Sequence, residues 1–441
     1  MNKKCFQTLL LQLFALVFFT FNFEYSTFAQ GGNDTCFVPN QVVVGLMTDS
    51  DLPAIATQYG LHPTPLGRVG TPPIYLLQIT NGNTPRQVTA AMTGDLRVTF
   101  AEPNWCMIYP ETLGHSWSVG HSWSVGHSWS VGGSGKGYAK NWFADNIRLN
   151  EAHQVSKGAG VKIAVLDTGI DLTHPAFTGK LLPGFDFVDN DNDPSEVGVL
   201  RQNPSYGHGT HVAGIVALVA PDAKIIPIRI LDSNGVGESW RITAALIYAA
   251  NQGADIVNLS FGYPQKSDVL KRFLDSACDG LPGFPEIGNR RIAAVIAGGN
   301  GGNSNSIYPA KEDLNASIGV GASNRLNRLS TFSSFNGGSG SDWIEVLAPG
   351  ENIVSALPGG RYGSWSGTSM SAPISSGIAA LIKAKFSTLT PNFVLDQLKE
   401  TGVRIRYDDP VRGEIKNQKV DAKCAVDNNL FCTGTNIAIQ P

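Results

Sequence analysis

Charge is sparse in this chain. Only 16% of its 441 residues are charged, and neither sign dominates: 33 Lys and Arg stand against 36 Asp and Glu, a formal net charge of −3. That balance lacks the basic footprint a phosphate backbone requires, so nucleic acid is not an expected partner. Long apolar runs are also missing, except at the start. There Lys3 and Lys4 precede the apolar run Leu9–Phe23, and Thr27-Phe28-Ala29 supplies a small-residue exit. This is the pattern of a secretory signal cleaved after Ala29; a retained membrane anchor is the alternative, although the run is short for a span. With no second such run, an exported protein with no membrane attachment is expected, and a monomer. Cysteine is limited to six positions: Cys5 would leave with the signal, Cys36 and Cys106 flank the next segment, Cys424 and Cys432 lie together near the C-terminus, and Cys278 stands alone. Export permits two disulfides, 36–106 and 424–432, with one free thiol; a fully reduced, buried set is the alternative.

What is present is organised in two textures. Length alone suggests two domains. From Gln41 to Tyr109, "QVVVGLM", "DLPAIATQYG", "TPLGRV", "IYLLQIT", "TPRQVTAAMTG" and "RVTFAEPNWCMIY" read as β-α-β-β-α-β, the order of a small ferredoxin-like α+β unit. From Tyr138 onward near-continuous apolar strands alternate with helices, which means an α/β domain with a mainly parallel sheet covered on both faces. Such sheets bind ligands beyond the carboxyl ends of their strands. That rule points to Asp167 after "VKIAVL", to Ser260-Phe261-Gly262 after "DIVNL", and to Gly298-Gly299-Asn300 after "AAVIA".

Three segments carry the chemistry. "AVLDTGID" puts Asp167 at a strand end, "GHGTHVAG" puts His208 at a helix start, and "GTSMSAP" puts Ser369 at another helix start. Acyl transfer to serine needs a hydroxyl, a base within hydrogen-bond reach, and a carboxylate that fixes the base's tautomer. Glycines beside all three allow close approach of backbone and substrate. At the start of a helix, unpaired N–H groups and the helix dipole favour a developing oxyanion. His211 in "HGTH" pairs with His208 at i, i+3. It is either a packed structural histidine or half of a metal pair, and no third ligand motif accompanies it.

In the order Asp, His, Ser, these segments resemble those of the subtilisin-like serine proteases, the subtilase family. The resemblance spans about Trp142 to Val426. It implies Ser369 as nucleophile, His208 as general base and Asp167 as orienting carboxylate, and it assigns Asn300 in "IAGGN" as an oxyanion donor. It further implies that "NLSFG" is the edge strand that pairs with substrate, with Ser260, Phe261 and Gly262 on one wall of the specificity pocket and Ala297 and Gly298 on the other. Phe261 stands where a small residue is common in the family. The acidic stretch "GFDFVDNDNDPSEVG" resembles the calcium loop of thermitase-type subtilases, with Asp186, Asp189, Asp191 and Asp193 as Ca²⁺ ligands and Glu196 just beyond. A solvated acidic turn is the alternative reading.

The segment ahead of the protease resembles the family's inhibitory prosegment. This gives residues 1–29 as signal, 30–110 as prodomain, 111–137 as linker, 138–426 as catalytic domain and 427–441 as tail. The linker holds "GHSWSVGHSWSVGHSWSVGG", three copies at a period of six. It reads as an accessible processing linker whose imidazoles sense pH, as a metal- or wall-binding strand, or as a slipped duplication in a tolerant site. The whole implies a secreted serine endopeptidase made as a zymogen, with protein or peptide substrates and its own prosegment as inhibitor. A binding protein on an inactive protease fold, and an esterase or peptide ligase with the same triad, are the other classes. Two Asn-x-Ser matches, Asn258 and Asn315, fall in predicted core strands, so neither is expected to carry a glycan.

Overall fold

The computed structural model describes residues 36–108, 130–199, 202–280, 282–312, 314–337, 342–428 and 437–438. The signal segment, most of the HSWSV linker and Cys432 lie outside the described residues. Contacts within the chain divide it into two units, with the boundary between Pro103 and Asn104.

In the first unit the order is β1 (Phe37–Leu46), α1 (Leu52–Tyr59), β2 (Gly67–Val69), β3 (Ile74–Gln78), α2 (Pro85–Ala91) and β4 (Val98–Ile108), which runs on past the boundary. Within this unit the strands lie in the order β2-β3-β1-β4, so the first and last strands of the segment are neighbours, as in the ferredoxin-like reading. β1 and β3 pair antiparallel from Gln41↔Gln78 to Gly45↔Ile74. The helices close over Val42, Val44, Ile55, Leu77, Val88 and Met92. Local chemistry sets the helix ends. Thr84 and Gln87 form a capping box ahead of Pro85, and Gly60, at φ +66°, ends α1 in the left-handed region.

The second unit continues with β5 (Ser130–Gly133), α3 (Gly135–Ala139), α4 (Trp142–Asn146), α5 (Leu149–Ala152), β6 (Lys162–Asp167), β7 (Phe185–Asp186), α6 (His208–Val219), β8 (Lys224–Arg229), β9 (Val236–Glu238), α7 (Ser239–Asn251), β10 (Ile256–Leu259) and α8 (Asp268–Asp279). After these come β11 (Ala293–Ala297), β12 (Ser317–Ser323), β13 (Val346–Pro349), β14 (Ile353–Leu357), β15 (Arg361–Trp365), α9 (Thr368–Lys385), α10 (Pro391–Glu400), β16 (Val403–Asp409), β17 (Gly413–Lys419), α11 (Ala422–Asp427) and β18 (Ile437–Ala438).

The main sheet runs β18-β16-β17-β13-β12-β11-β10-β6-β8-β7. From β13 to β7 every pairing is parallel; only the β16–β17 hairpin is antiparallel. Alternation along β6 shows why both faces are covered. Ile163 and Val165 join the core formed with α6 and α9, whereas Ala164 and Leu166 are equally buried on the other face; α7 meets the neighbouring strand β8 and packs against α8. α9 is buried from Thr368 to Ile382, so apolar and small side chains surround it on all sides. The end of the third repeat, β5, pairs antiparallel with β15, and Cys106–Ile108 pair antiparallel with β9. Cys36, Cys106 and Cys424 each take part in a disulfide, while Cys278 is a free, buried thiol whose pKa burial pushes well up. Among the described residues no helix is long and apolar enough to cross a membrane.

One expectation needs correction. Asn258 is fully buried in β10, but Asn315 is exposed in the turn ahead of β12, its N–H donating to Asp279 Oδ1 at 3.0 Å. The strand begins two residues later than "NASIGVGAS" suggests, because the first residues form the turn that feeds it.

Candidate active site

Parallel strands end together, and that alone gathers most of the site. β6, β10 and β11 are neighbours in register, with Leu166 beside Leu259 and Leu259 beside Ile296, so Asp167, Ser260 and Gly298 leave the sheet at one edge. Asp167 is 1% and His208 0% exposed, and His208 Nδ1 lies 2.7 Å from Asp167 Oδ1. A carboxylate accepts, so Nδ1 carries the proton and Nε2 is left basic. The same Oδ1 accepts the Thr168 N–H at 2.8 Å. Glycine makes this approach possible. A Cβ on Gly209 would fall 2.1 Å from the Gly169 carbonyl oxygen and 3.0 Å from Asp167 Cβ, and Gly207 precedes His208 at φ +95°.

Ser369 is the second residue of α9. Its Oγ donates to the Ser260 carbonyl at 3.2 Å, and Ser260 Oγ donates back to the Ser369 carbonyl at 3.1 Å. Pro373 explains the second bond. It has no N–H to give the carbonyl four residues earlier, so Ser369 O needs another donor, and Ser260 supplies it. Asn258 fixes that hydroxyl, donating to Ser260 Oγ at 2.9 Å while accepting from Ser376 Oγ at 2.9 Å. On the other side Asn300 Oδ1 accepts from Thr368 N at 2.9 Å and Thr368 Oγ1 at 3.0 Å. Its amide orientation is thereby set: the buried Nδ2 is the donor half and meets no acceptor among the described residues. A donor held in this way beside a helix N-terminus is able to hydrogen-bond an oxyanion. Phe261 is fully buried, Ala297 lies in the core, and Gly298 faces Ile344, so Gly262 and Gly299 are the residues of these two segments that look toward each other's neighbourhood across Ile307.

A model of the Subtilase family matches residues 158–425. The chain belongs to the subtilase family. A second match, to the Fervidolysin N-terminal prodomain, covers residues 26–104. Among curated relatives, a thermophilic serine proteinase of Bacillus sp. (strain AK1) is 39% identical over 54% of this chain and 56% of its own length. Thermitase of Thermoactinomyces vulgaris is 34% identical over 56% of this chain and 83% of its own. Subtilisin E of Bacillus subtilis (strain 168) is 37% identical over 55% and 61%. The match to the first of these thus spans little more than half of that relative's length. The solved structure of fervidolysin from Fervidobacterium pennivorans, a keratinolytic enzyme related to subtilisin, aligns over 89% of this chain and 61% of its own at a TM-score of 0.67 and 23% identity, a likeness of fold.

Within the subtilase domain, three residues join the site that sequence reasoning had not placed there. Glu196 turns away from the acidic loop. Its carboxylate accepts Thr168 Oγ1 at 2.5 Å, Thr210 Oγ1 at 2.7 Å and Thr210 N at 3.2 Å. Thr168 Oγ1 in turn accepts the Gly209 N–H at 2.9 Å, and Thr210 Oγ1 the Asp171 N–H at 2.9 Å. One carboxylate so ties the turn after Asp167 to the helix that begins with His208. The side chain keeps some exposure, but its carboxyl end is enclosed. Burial, with a smaller push from Asp167, raises its pKa to about 7 against the hydroxyl and amide donors. Trp365 is the second. Its ring lies 5.5 Å from that of His208 and stacks on His211 at 5.0 Å and 12°. His211 itself is a packed structural histidine: Nε2–H points to the carbonyls of Ile353 at 3.1 Å and Gly363 at 3.3 Å, and burial lowers its pKa to about 3. The third is Ile307, taken up below.

The acidic loop is tied mainly to protein partners. Arg229 Nη1 meets Asp186 and Asp189, each at 2.5 Å. Asp186 Oδ1 also accepts the N–H of Val188 at 2.7 Å and of Asp189 at 3.0 Å. Asp191 Oδ1 accepts Asp193 N at 2.8 Å, and Asp193 Oδ1 accepts Ser195 N at 3.2 Å. Arg229 therefore supplies positive charge to two of the four carboxylates, and the other two cap their own turns. Among the described residues no three His, Cys, Asp or Glu side chains converge on one point.

Proposed function

We propose that the chain is a secreted serine endopeptidase, made as a zymogen, that cleaves protein or peptide substrates through an acyl-enzyme on Ser369. The observation that carries this reading is the 2.7 Å contact of Asp167 with His208, set at the same sheet edge as Ser369 and the oriented amide of Asn300. To react, the Ser369 hydroxyl leaves the Ser260 carbonyl, turns toward His208 Nε2 and gives up its proton there as Oγ bonds to the substrate carbonyl carbon. Asp167 stabilises the imidazolium. Asn300 Nδ2 and the first-turn N–H of Ser369 receive the oxyanion. The imidazolium then protonates the leaving amine. A water, deprotonated by His208, releases the acid and restores the serine. Substrate backbone lies along Ser260–Gly262 as an added strand, with Ala297 and Gly298 contributing backbone to the opposite wall.

In this account residues 1–29 direct export, 30–110 fold with the protease and block it, and cleavage in linker 111–137 frees the 138–426 domain with its 427–441 tail. The glycine- and serine-bearing repeats keep that junction accessible. Hydrolysis of a chromogenic peptide by the processed enzyme and by Ser369→Ala and His208→Ala tests the core claim. Turnover falling to background in both variants is expected; a Ser369→Ala enzyme that retains turnover would rule the nucleophile out.

A further inference from the structure

Ile307 stands between the two segments that would line the specificity pocket. A Cβ built on Gly262 would fall 2.3 Å from Cγ2 of Ile307, and one built on Gly299 would fall 2.8 Å from its Cγ1. One side chain thus rests against both walls. Gly262 closes the segment whose Ser260 exchanges hydrogen bonds with Ser369, and Gly299 directly precedes Asn300. The segment that carries the isoleucine is itself pinned: Tyr308 N–H donates to Tyr263 O at 2.8 Å, and Tyr263 N–H to Tyr308 O at 2.9 Å. Ile307 is 8% exposed. Branching at Cβ leaves it few rotamers, and close-packed surroundings leave it little room to use them. A large substrate side chain entering between Gly262 and Gly299 meets a fixed aliphatic wall, whereas a methyl or hydroxymethyl group does not.

We propose that Ile307 is the floor of the specificity pocket and makes it shallow, so that the enzyme cleaves after small residues of alanine's size rather than after aromatic ones. This rests on the proteolytic reading above and names its substrate class. Because the wall is apolar, it rejects by volume and offers no partner to a charged side chain.

The test uses the processed enzyme and two peptide p-nitroanilides identical except for Ala or Phe before the scissile bond, with active sites counted by fluorophosphonate titration. The parent should favour Ala in kcat/KM by about tenfold or more. Ile307→Gly should raise the Phe-to-Ala ratio by about tenfold or more, through the Phe substrate, with Ile307→Val moving the same way by less. Titration removes any loss due to misfolding, and the Val variant decides should the Gly variant not fold. A parent that favours Phe, or variants whose ratio stays within about twofold of the parent, overturns the proposal while leaving proteolysis intact. Failure to cleave either peptide, with no label on Ser369, overturns proteolysis and the pocket together.

Discussion

The amide of Asn300 cannot turn round without breaking two bonds to Thr368, so its donor half has a fixed direction before any substrate arrives. That preorganisation is what an oxyanion donor needs. Asn300→Ala should lower kcat by about 10²–10³, the range known for one such donor in a related protease, with KM moving far less. Steady-state kinetics decide it, and a loss carried mainly by KM would contradict the role. At this scale the sequence singles out residues at or just beyond element ends beside glycine, Asp167, His208, Ser369 and Asn300, and the fold brings Asp167 into contact with His208. The sequence was silent on Trp365 and Ile307. Neither lies in a motif, and each acts through a segment brought near by the fold, β15 in one case and the Tyr263–Tyr308 bridge in the other.

Elements hold the pair together through Glu196. Sequence proximity placed this glutamate at the rim of the acidic loop, whereas the chain turns it inward to join the end of β6 with the start of α6. Its pKa, about 7 against an ordinary 4.5, means that folding favours the neutral acid. The associated stability is full below the ordinary value and is lost as pH rises through about 7. Melting of the parent should therefore fall relative to Glu196→Gln between pH 5 and pH 8, whatever offset the substitution brings; a constant difference across that range would show that the carboxyl does not titrate there. The strands and helices of the parallel core were legible because their apolar runs are long and bounded. The β16–β17 hairpin was not read, although "VRIRY" alternates in the period of a strand: a single short alternating run names no partner, and only the fold shows that it extends the sheet beyond β13.

At the scale of the whole molecule, the change of texture near Tyr138 suggests a small α+β segment followed by a parallel α/β domain, whereas contacts within the chain divide it earlier, between Pro103 and Asn104. What sequence could not supply was charge balance in three dimensions. Four aspartates in eight residues invite a cation, and Arg229, more than thirty residues on, already meets two of them. Calcium binding by Asp186, Asp189, Asp191 and Asp193 is a separate proposal, which requires those carboxylates to leave their present partners; it predicts a lower melting temperature with EDTA, and an unchanged one would count against it. N-terminal sequencing of the exported protein should find residues 30 to roughly 110–137 removed, as the account of the linker requires. The most direct measurement of the central claim is peptide mapping of the processed enzyme after reaction with a fluorophosphonate. The account predicts a single adduct on Ser369, absent from Ser369→Ala and strongly reduced in His208→Ala; an adduct on another residue, or none on an enzyme that still cleaves peptides, would contradict it.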